Sequence, residues 1–327
     1  MATATTVQAS PTWSAGCFPG PSRPMQAAGL NGGTTPKPPL FQDRTPMHEL
    51  ARAQRFLWLQ HRLPKALLTR LAGAFARWPG GAITTFAIRR FAEHYGVNLD
   101  EAEQPEVTAY RTFNEFFTRN LKAGVRCWPE DPGCLASPCD GALSAQGPLT
   151  AGAVFQAKGI TYSAEGLLAG DAAAYESGSF STIYLAPKDY HQIHMPLAGT
   201  LTALRYVPGD LFSVNPATAA TRPGLFARNE RVILEFSTPD GPFALVLVGA
   251  LIVGAMRTRW TGRVTAHSSS QWAGERFAER GEAIGAFELG STVIVLLSEQ
   301  LRRQRALAWL PRAPGEAFRL GDPLTEA

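Results

Sequence analysis

The feature that most constrains the fold is a series of short apolar runs, separated by glycine, proline, asparagine or aspartate, that begins near residue 135. The runs are Ser181–Ala186, Leu201–Val207, Arg231–Phe236, Phe243–Val248, Arg263–His267 and Thr292–Leu297. They are too short for stable helices and rich in residues that suit a pleated surface. Strands of this length with turn residues between them predict an antiparallel sandwich or barrel. The most apolar stretch, Pro242–Met256, is shorter than the roughly 20 residues a membrane-spanning helix needs. Its valines, leucines and isoleucines point to buried strands instead.

Upstream the pattern is helical. Leu63, Leu67, Leu71, Phe75 and Trp78 recur every three or four residues and so line one helical face. Pro64 is expected at a first helical position, where a missing N–H costs nothing. Pro79-Gly80-Gly81 ends this helix, and Ala82–Tyr95 is expected to form another. The chain has 327 residues and a net charge of only +4, yet its basic residues gather here. Arg52, Arg55, Arg62, Lys65, Arg70, Arg77, Arg89 and Arg90 face Glu93 as the only acid between Ala51 and Tyr95. Cations flanking an apolar face that includes Phe56, Leu57 and Trp58 suit a helix lying in an anionic membrane interface. The plainer reading is a helical pair on the protein's own core with a solvated basic face. Nucleic acid is disfavoured, because no base-stacking or groove-reading motif follows.

Residues 1–46 are rich in alanine, threonine, glycine and proline, with no acid before Asp43, and are expected to be a disordered extension. Ser14-Ala15-Gly16-Cys17 resembles a lipoprotein cleavage site only faintly, since no apolar stretch precedes it. Cys17, Cys127, Cys134 and Cys139 form no CxxC pair and are expected to be reduced thiols. The expected organisation is α+β: a disordered 1–46, a helical membrane-associating region 47–126 and a β-rich catalytic domain 127–327.

Three stretches are over-specified for a plain β protein. Ser137-Pro138-Cys139-Asp140-Gly141 places Asp140 in an Asp-Gly turn. Asp189-Tyr190-His191-Gln192-Ile193-His194-Met195-Pro196 holds two of the six histidines. Read as an extended segment, it is expected to turn both imidazoles toward one site. No ligand set around them is obviously complete for a metal, whereas two groups titrating near neutrality suit proton transfer. Leu289-Gly290-Ser291-Thr292 is ordinary turn chemistry ahead of a strand, and it lacks the G-x-S-x-G of a nucleophile elbow. Together Asp140, His194 and Ser291 supply an acid, a base and a hydroxyl, the set that activates a serine. The serine could attack an external acyl group, as in a hydrolase, or the carbonyl of Gly290 before it. A glycine there is expected to permit the strained approach of an internal attack. A non-enzymatic protein of the membrane surface is the third possibility.

The order of longer motifs narrows these alternatives. Arg111-Thr112-Phe113-Asn114-Glu115-Phe116-Phe117-Thr118-Arg119, Gln156-Ala157-Lys158-Gly159, Leu167-Leu168-Ala169-Gly170, Lys188-Asp189-Tyr190-His191 with Met195-Pro196, Pro208-Gly209-Asp210-Leu211-Phe212-Ser213-Val214-Asn215, Leu225-Phe226-Ala227-Arg228-Asn229-Glu230-Arg231 and Val248-Gly249-Ala250 with Val253-Gly254 run ahead of Leu289-Gly290-Ser291-Thr292. This series resembles the bacterial phosphatidylserine decarboxylases, pyruvoyl-dependent enzymes of phospholipid synthesis, from about His48 to Leu324. The resemblance implies that Asp140 and His194 act with Ser291 in self-cleavage between Gly290 and Ser291, giving a β chain 1–290 and an α chain 291–327. Ser291 would become the covalent pyruvoyl (pyruvate) cofactor, which forms a Schiff base with phosphatidylserine and releases CO2 to give phosphatidylethanolamine. His191 would serve the decarboxylation step as proton donor. The resemblance also implies a peripheral enzyme on the cytoplasmic side of a bacterial inner membrane, and a dimer of processed chain pairs. Two positions depart from the pattern. Cys139 replaces the alanine usual before the aspartate, and Gln192 replaces the arginine usual after the first histidine; neither is an acid–base residue in this scheme.

Overall fold

The computed structural model describes residue 62 and residues 64–157, 159–251, 255–264, 276–288 and 290–326. The 1–46 extension, Cys17, Arg52, Arg55, Phe56, Leu57, Trp58, Leu63, Lys158, Val253, Gly254, His267 and Leu289 lie outside the described residues.

Two helices open the described chain, α1 (Lys65–Arg77) and α2 (Ala82–Tyr95). Pro64 stands at the N-cap of α1, one position before the expected one, and its carbonyl accepts the Leu68 N–H at 3.0 Å. Pro79-Gly80-Gly81 separates the helices as expected, and α2 ends on Gly96, whose φ of +67° needs no side chain to clash. A third helix, α3 (Phe113–Phe117), starts on the Thr112 hydroxyl, which accepts the Glu115 N–H at 3.1 Å. Phe113, Phe116 and Phe117 then pack with Ala76, Ile88 and Tyr110 into a small core of their own. Leu67, Leu71, Phe75 and Trp78 do not join it. They are 54, 59, 48 and 46% exposed, so the apolar stripe of α1 faces outward.

The bulk of the molecule is an eight-stranded antiparallel sheet. Its strands are β1 (Gly141–Pro148), β4 (Ser179–Leu185), β6 (Gly199–Val207), β7 (Arg231–Thr238), β8 (Gly241–Val248), β11 (Phe277–Ala278), β13 (Ser291–Leu297) and β15 (Ala317–Phe318). The order is β11-β6-β7-β8-β13-β4-β1-β15. The edge strands β11 and β15 do not pair with each other, so this sheet is open and not a closed barrel among the described residues. A four-stranded sheet, β10-β9-β12-β5, adds β5 (Gln192–His194), β9 (Met256–Thr258), β10 (Gly262–Arg263) and β12 (Ala283–Phe287), and two small sheets pair β2 (Ala153–Ala157) with β3 (Ile160–Ser163) and β14 (Ala308–Trp309) with β16 (Thr325–Glu326). Ile193, Met195, Met256, Ile284 and Phe287 share one apolar cluster with residues of the large sheet, which gives the sandwich half of the expectation.

Both faces of the large sheet are covered. Val293, Val295 and Leu297 of β13 lie in that cluster, while Ile294 and Leu296 lie in a second cluster with Phe180, Val246, Leu167, Leu168 and Phe226. Strands buried on both faces read as continuous apolar runs rather than alternating ones. That is why Thr292–Leu297 and Phe243–Val248 were visible as unbroken hydrophobic stretches. The chain direction then places Ser291 at the first residue of a central strand, paired with Leu185 of β4.

Candidate active site

Asp140 is positioned by the glycine after it. A Cβ on Gly141 would stand 2.5 Å from the Tyr184 carbonyl oxygen, so only glycine lets β1 approach β4 this closely. The Asp140 carboxylate is engaged on both oxygens. Arg126 donates to Oδ1 at 3.2 Å and to Oδ2 at 2.7 Å, and the Leu320 N–H donates to Oδ1 at 2.7 Å. Arg126 also binds Glu101 at 2.8 Å, and Glu101 binds Arg319 at 2.9 Å. Burial works against the Arg126 charge, but its bonds to Asp140 and Glu101 more than offset this and hold its pKa above the usual value.

The two histidines are three residues apart, an odd spacing that puts side chains on opposite sides of an extended segment. The expectation of one shared face therefore fails, and the rings occupy different surroundings. His191 is fully buried just before β5, with Phe117 against it at 4.1 Å between ring centroids. Its Nδ1 lies 2.8 Å from the Asp189 carbonyl oxygen. A carbonyl can only accept, so Nδ1 carries the proton and Nε2 presents a lone pair. That Nε2 is buried without a hydrogen-bond partner among the described residues. Burial lowers the pKa of His191 to about 3, so its ring is neutral at pH 7.

His194 is held at both nitrogens. Nδ1 donates to the Gly281 carbonyl at 2.7 Å, which leaves Nε2 to accept from the Tyr190 hydroxyl at 3.1 Å. Burial lowers its pKa as well. Burial also raises the pKa of Tyr190, which keeps this hydroxyl a donor. Asp140 acts on His194 through its charge, with no direct hydrogen bond between them.

Ser291 is 1% exposed, and its Oγ has no hydrogen-bond partner among the described residues. Gly290 does not take a positive φ, and a Cβ built on it meets nothing within 4 Å among the described residues. The described backbone at Gly290 is thus open and outside the left-handed region. Asp140, His194 and Ser291 are not hydrogen-bonded to one another. The carboxylate is held by Arg126 and Leu320, the imidazole by Gly281 and Tyr190, and the serine hydroxyl by nothing described. His191 is the histidine tied to the Ser291 segment, since its carbonyl accepts the N–H of Phe287 at 3.0 Å, four residues before the serine.

Sequence reasoning passed over four residues here. Arg126 and Tyr190 hold the two expected groups. Asp189 closes a turn by accepting the Ala186 N–H at 2.7 Å, and burial raises its pKa. Arg119 is 5% exposed, and its guanidinium reaches only the carbonyls of Phe116 and Lys188, at 3.5 and 3.4 Å, with Nε unpartnered among the described residues. Arg119, Asp189 and Tyr190 sit inside the quoted motifs, Arg126 lies seven residues past one, and a charged residue within an aromatic motif was the available signal for Arg119. Gln192, in place of the usual arginine, donates to the Thr118 carbonyl at 2.9 Å and to Asn120 Oδ1 at 2.7 Å, which ties β5 to the end of α3.

These features define a decarboxylase family by their order along the chain: the α3 motif, the two histidines on the approach to β5, and a buried serine opening β13. A family model described as phosphatidylserine decarboxylase matches residues 113–322, and a second, PSD, matches residues 55–96. The chain belongs to the phosphatidylserine decarboxylase family. A phosphatidylserine decarboxylase proenzyme of Shewanella frigidimarina is 50% identical over 277 residues, covering 81% of this chain and 95% of the relative. Proenzymes of the same description from Shewanella halifaxensis and Yersinia pestis are each 48% identical, covering 80 and 82% of this chain and 96 and 95% of their own lengths.

Proposed function

We propose that this chain is a proenzyme that cuts itself between Gly290 and Ser291 and then decarboxylates phosphatidylserine to phosphatidylethanolamine through a pyruvoyl group made from Ser291. The observation that carries the reading is the buried, unpartnered Ser291 hydroxyl beside an unobstructed Gly290 in a chain of this family. A buried hydroxyl without a partner costs about 1–3 kcal/mol, which a role in chemistry would explain.

The cut begins with attack of Ser291 Oγ on the Gly290 carbonyl carbon, with the serine proton passing to a neutral base. Both imidazoles are neutral. In the proposed scheme His194 is the base for this step, and it must exchange its Tyr190 contact for the serine to act. Asp140 favours the imidazolium that forms, through its nearby charge. The attack converts the amide to an ester. Elimination leaves a carboxylate on Gly290 and dehydroalanine at position 291, and water then releases ammonia and leaves the ketone. The residues suit such a group, because Ser291 opens a buried strand and no described side chain competes for its oxygen. A pyruvoyl group supplies a carbonyl that holds a primary amine and takes up the electron pair left as a carboxylate departs. His191 serves the later proton transfer. Its Nε2 is free to take up a proton and then to deliver it. Arg119 offers a buried positive charge near His191 for the anionic headgroup.

The surface supports a peripheral membrane enzyme. Leu67, Leu71, Phe75, Trp78, Ile83 and Phe86 are all exposed on α1, α2 and the turn between them, beside the exposed Arg70, Arg89 and Arg90. Apolar side chains flanked by arginines suit an anionic lipid surface, here proposed as the cytoplasmic face of a bacterial inner membrane. No described helix is long and apolar enough to cross a membrane. Intact mass of the purified wild-type protein tests the central reading. Two chains are expected, the smaller beginning at residue 291 with a blocked N-terminus, while Ser291→Ala stays whole. A single unblocked full-length wild-type chain would overturn it.

A further inference from the structure

The segment that carries Ser291 is tied to helix α1 by one ion pair. Glu288 stands three residues before Ser291, in the connection from β12 to β13, and its side chain is only 9% exposed. Its Oε2 lies 3.1 Å from Nη1 of Arg77, in the last turn of α1, and 3.8 Å from Nη2 of Arg263. The second distance is too long for a hydrogen bond, and the Arg263 side chain is 47% exposed. Arg77 is therefore the close partner of a carboxylate that burial would otherwise penalise. The backbone of the same connection is anchored on its other side. The Glu288 N–H donates to the Ala255 carbonyl at 2.9 Å, and the Phe287 N–H donates to His191 at 3.0 Å.

We propose that Arg77 and Glu288 are positioning residues for self-cleavage, their ion pair fixing the place of Glu288 and hence the approach of Ser291 Oγ to the Gly290 carbonyl. The inference rests on the reading of Gly290–Ser291 as the processed bond. Internal attack is sensitive to small misplacements of the reacting atoms. A tether three residues away, added to these backbone bonds and to the burial of Phe287, acts on that placement directly. Neither side chain touches the reacting atoms.

The test follows cutting of the full-length chain over time by intact mass, after synthesis in a cell-free system. Arg77→Glu and Glu288→Arg are each expected to slow cutting roughly tenfold, equivalent to about 1.4 kcal/mol on the barrier. The double reversal restores the pair with its charges exchanged and is expected to recover most of the rate, while thermal unfolding midpoints of all four chains stay close. A merely structural contact would move the midpoints and leave the rates of the folded chains alike. Single reversals that cut at the wild-type rate overturn the inference, as does a double reversal no faster than the singles. Should a reversed chain fail to fold, Arg77→Met, Glu288→Gln and their combination replace it. Rate effects that fail to add support the pair, and effects that add overturn it. An uncut wild-type chain overturns the self-cleavage reading itself; a cut wild-type chain with indifferent variants overturns only the tether.

Discussion

At the scale of single residues, the two histidines show how closely surroundings decide chemistry. Both are kept neutral by burial, each with Nδ1 donating to a main-chain carbonyl, but only His191 has a free lone pair. Their depressed pKa values carry a stability consequence. Below pH 6.5 an unfolded chain protonates its histidines while folded His191 stays neutral down to about pH 3. The unfolded state then binds more protons, so stability is full above pH 6.5 and falls as pH drops through this window. His191 alone contributes a slope of about 1.4 kcal/mol per pH unit. Urea unfolding of Ser291→Ala between pH 4 and 7, with and without His191→Gln, should show a shallower slope in the glutamine variant. Gly290 gives a second prediction. Because a Cβ there meets nothing described, Gly290→Ala should fold with an unchanged unfolding midpoint, so any loss of cutting belongs to the chemistry. Gly141→Ala is the contrast, since its Cβ would press on the Tyr184 carbonyl, and a loss of about 1–3 kcal/mol in chemical unfolding is expected.

At the scale of elements, the helical pair and the sheet were legible for different reasons. Proline and glycine at positions 79–81 stop a helix by backbone chemistry that no packing can override, so the break between α1 and α2 appears as expected. The stripe of Leu67, Leu71 and Phe75 was visible by spacing, but its direction was not, because spacing says that residues share a face and not what covers it. The structure turns that face to solvent. Leu71→Glu with Phe75→Glu should therefore leave the unfolding free energy within about 0.5 kcal/mol. The same pair should weaken sedimentation with phosphatidylglycerol vesicles at least tenfold, each lost side chain having offered about 1.5–3 kcal/mol of burial. Unchanged vesicle binding would remove the membrane from the account of α1. The strands were legible because burial on both faces leaves no room for polar alternation in β8 and β13.

At the scale of the whole molecule, the position of β13 governs what happens after a cut at its first residue. The strand lies between β8 and β4 near the middle of the large sheet, and all seven of its residues are buried. Downstream, β15 pairs with β1, Leu320 donates to Asp140, and Arg319 binds Glu101. The 291–327 chain would thus remain interleaved with 1–290 chiefly by the hydrogen bonds and apolar contacts of the sheet, with the Arg319–Glu101 and Arg305–Asp240 ion pairs added. The two chains should co-elute on native size exclusion at low and high salt and separate only in denaturant. Separation by salt would mean that the ion pairs of Arg319 with Glu101 and of Arg305 with Asp240 hold the chains, not the sheet. Asp140 gains a second part from this arrangement, since the carboxylate proposed for processing also accepts the Leu320 N–H within residues 291–327.

The identity of the elements, the helix break and the order of the motifs that mark the family are legible in the amino-acid sequence alone. These depend on local backbone chemistry, on periodicity and on residue order, all of which are written along the chain. It also singled out Asp140, His191, His194 and Ser291 as the residues with chemistry to offer. Which of these groups meet is set by packing in three dimensions. It gave Asp140 to Arg126 and Leu320, His194 to Gly281 and Tyr190, and left Ser291 and His191 with unpartnered atoms. It also brought Arg77 to Glu288, 211 residues apart in sequence. Such pairings arise from distant segments packed together, where burial makes an unpaired charge costly, and no local pattern encodes them.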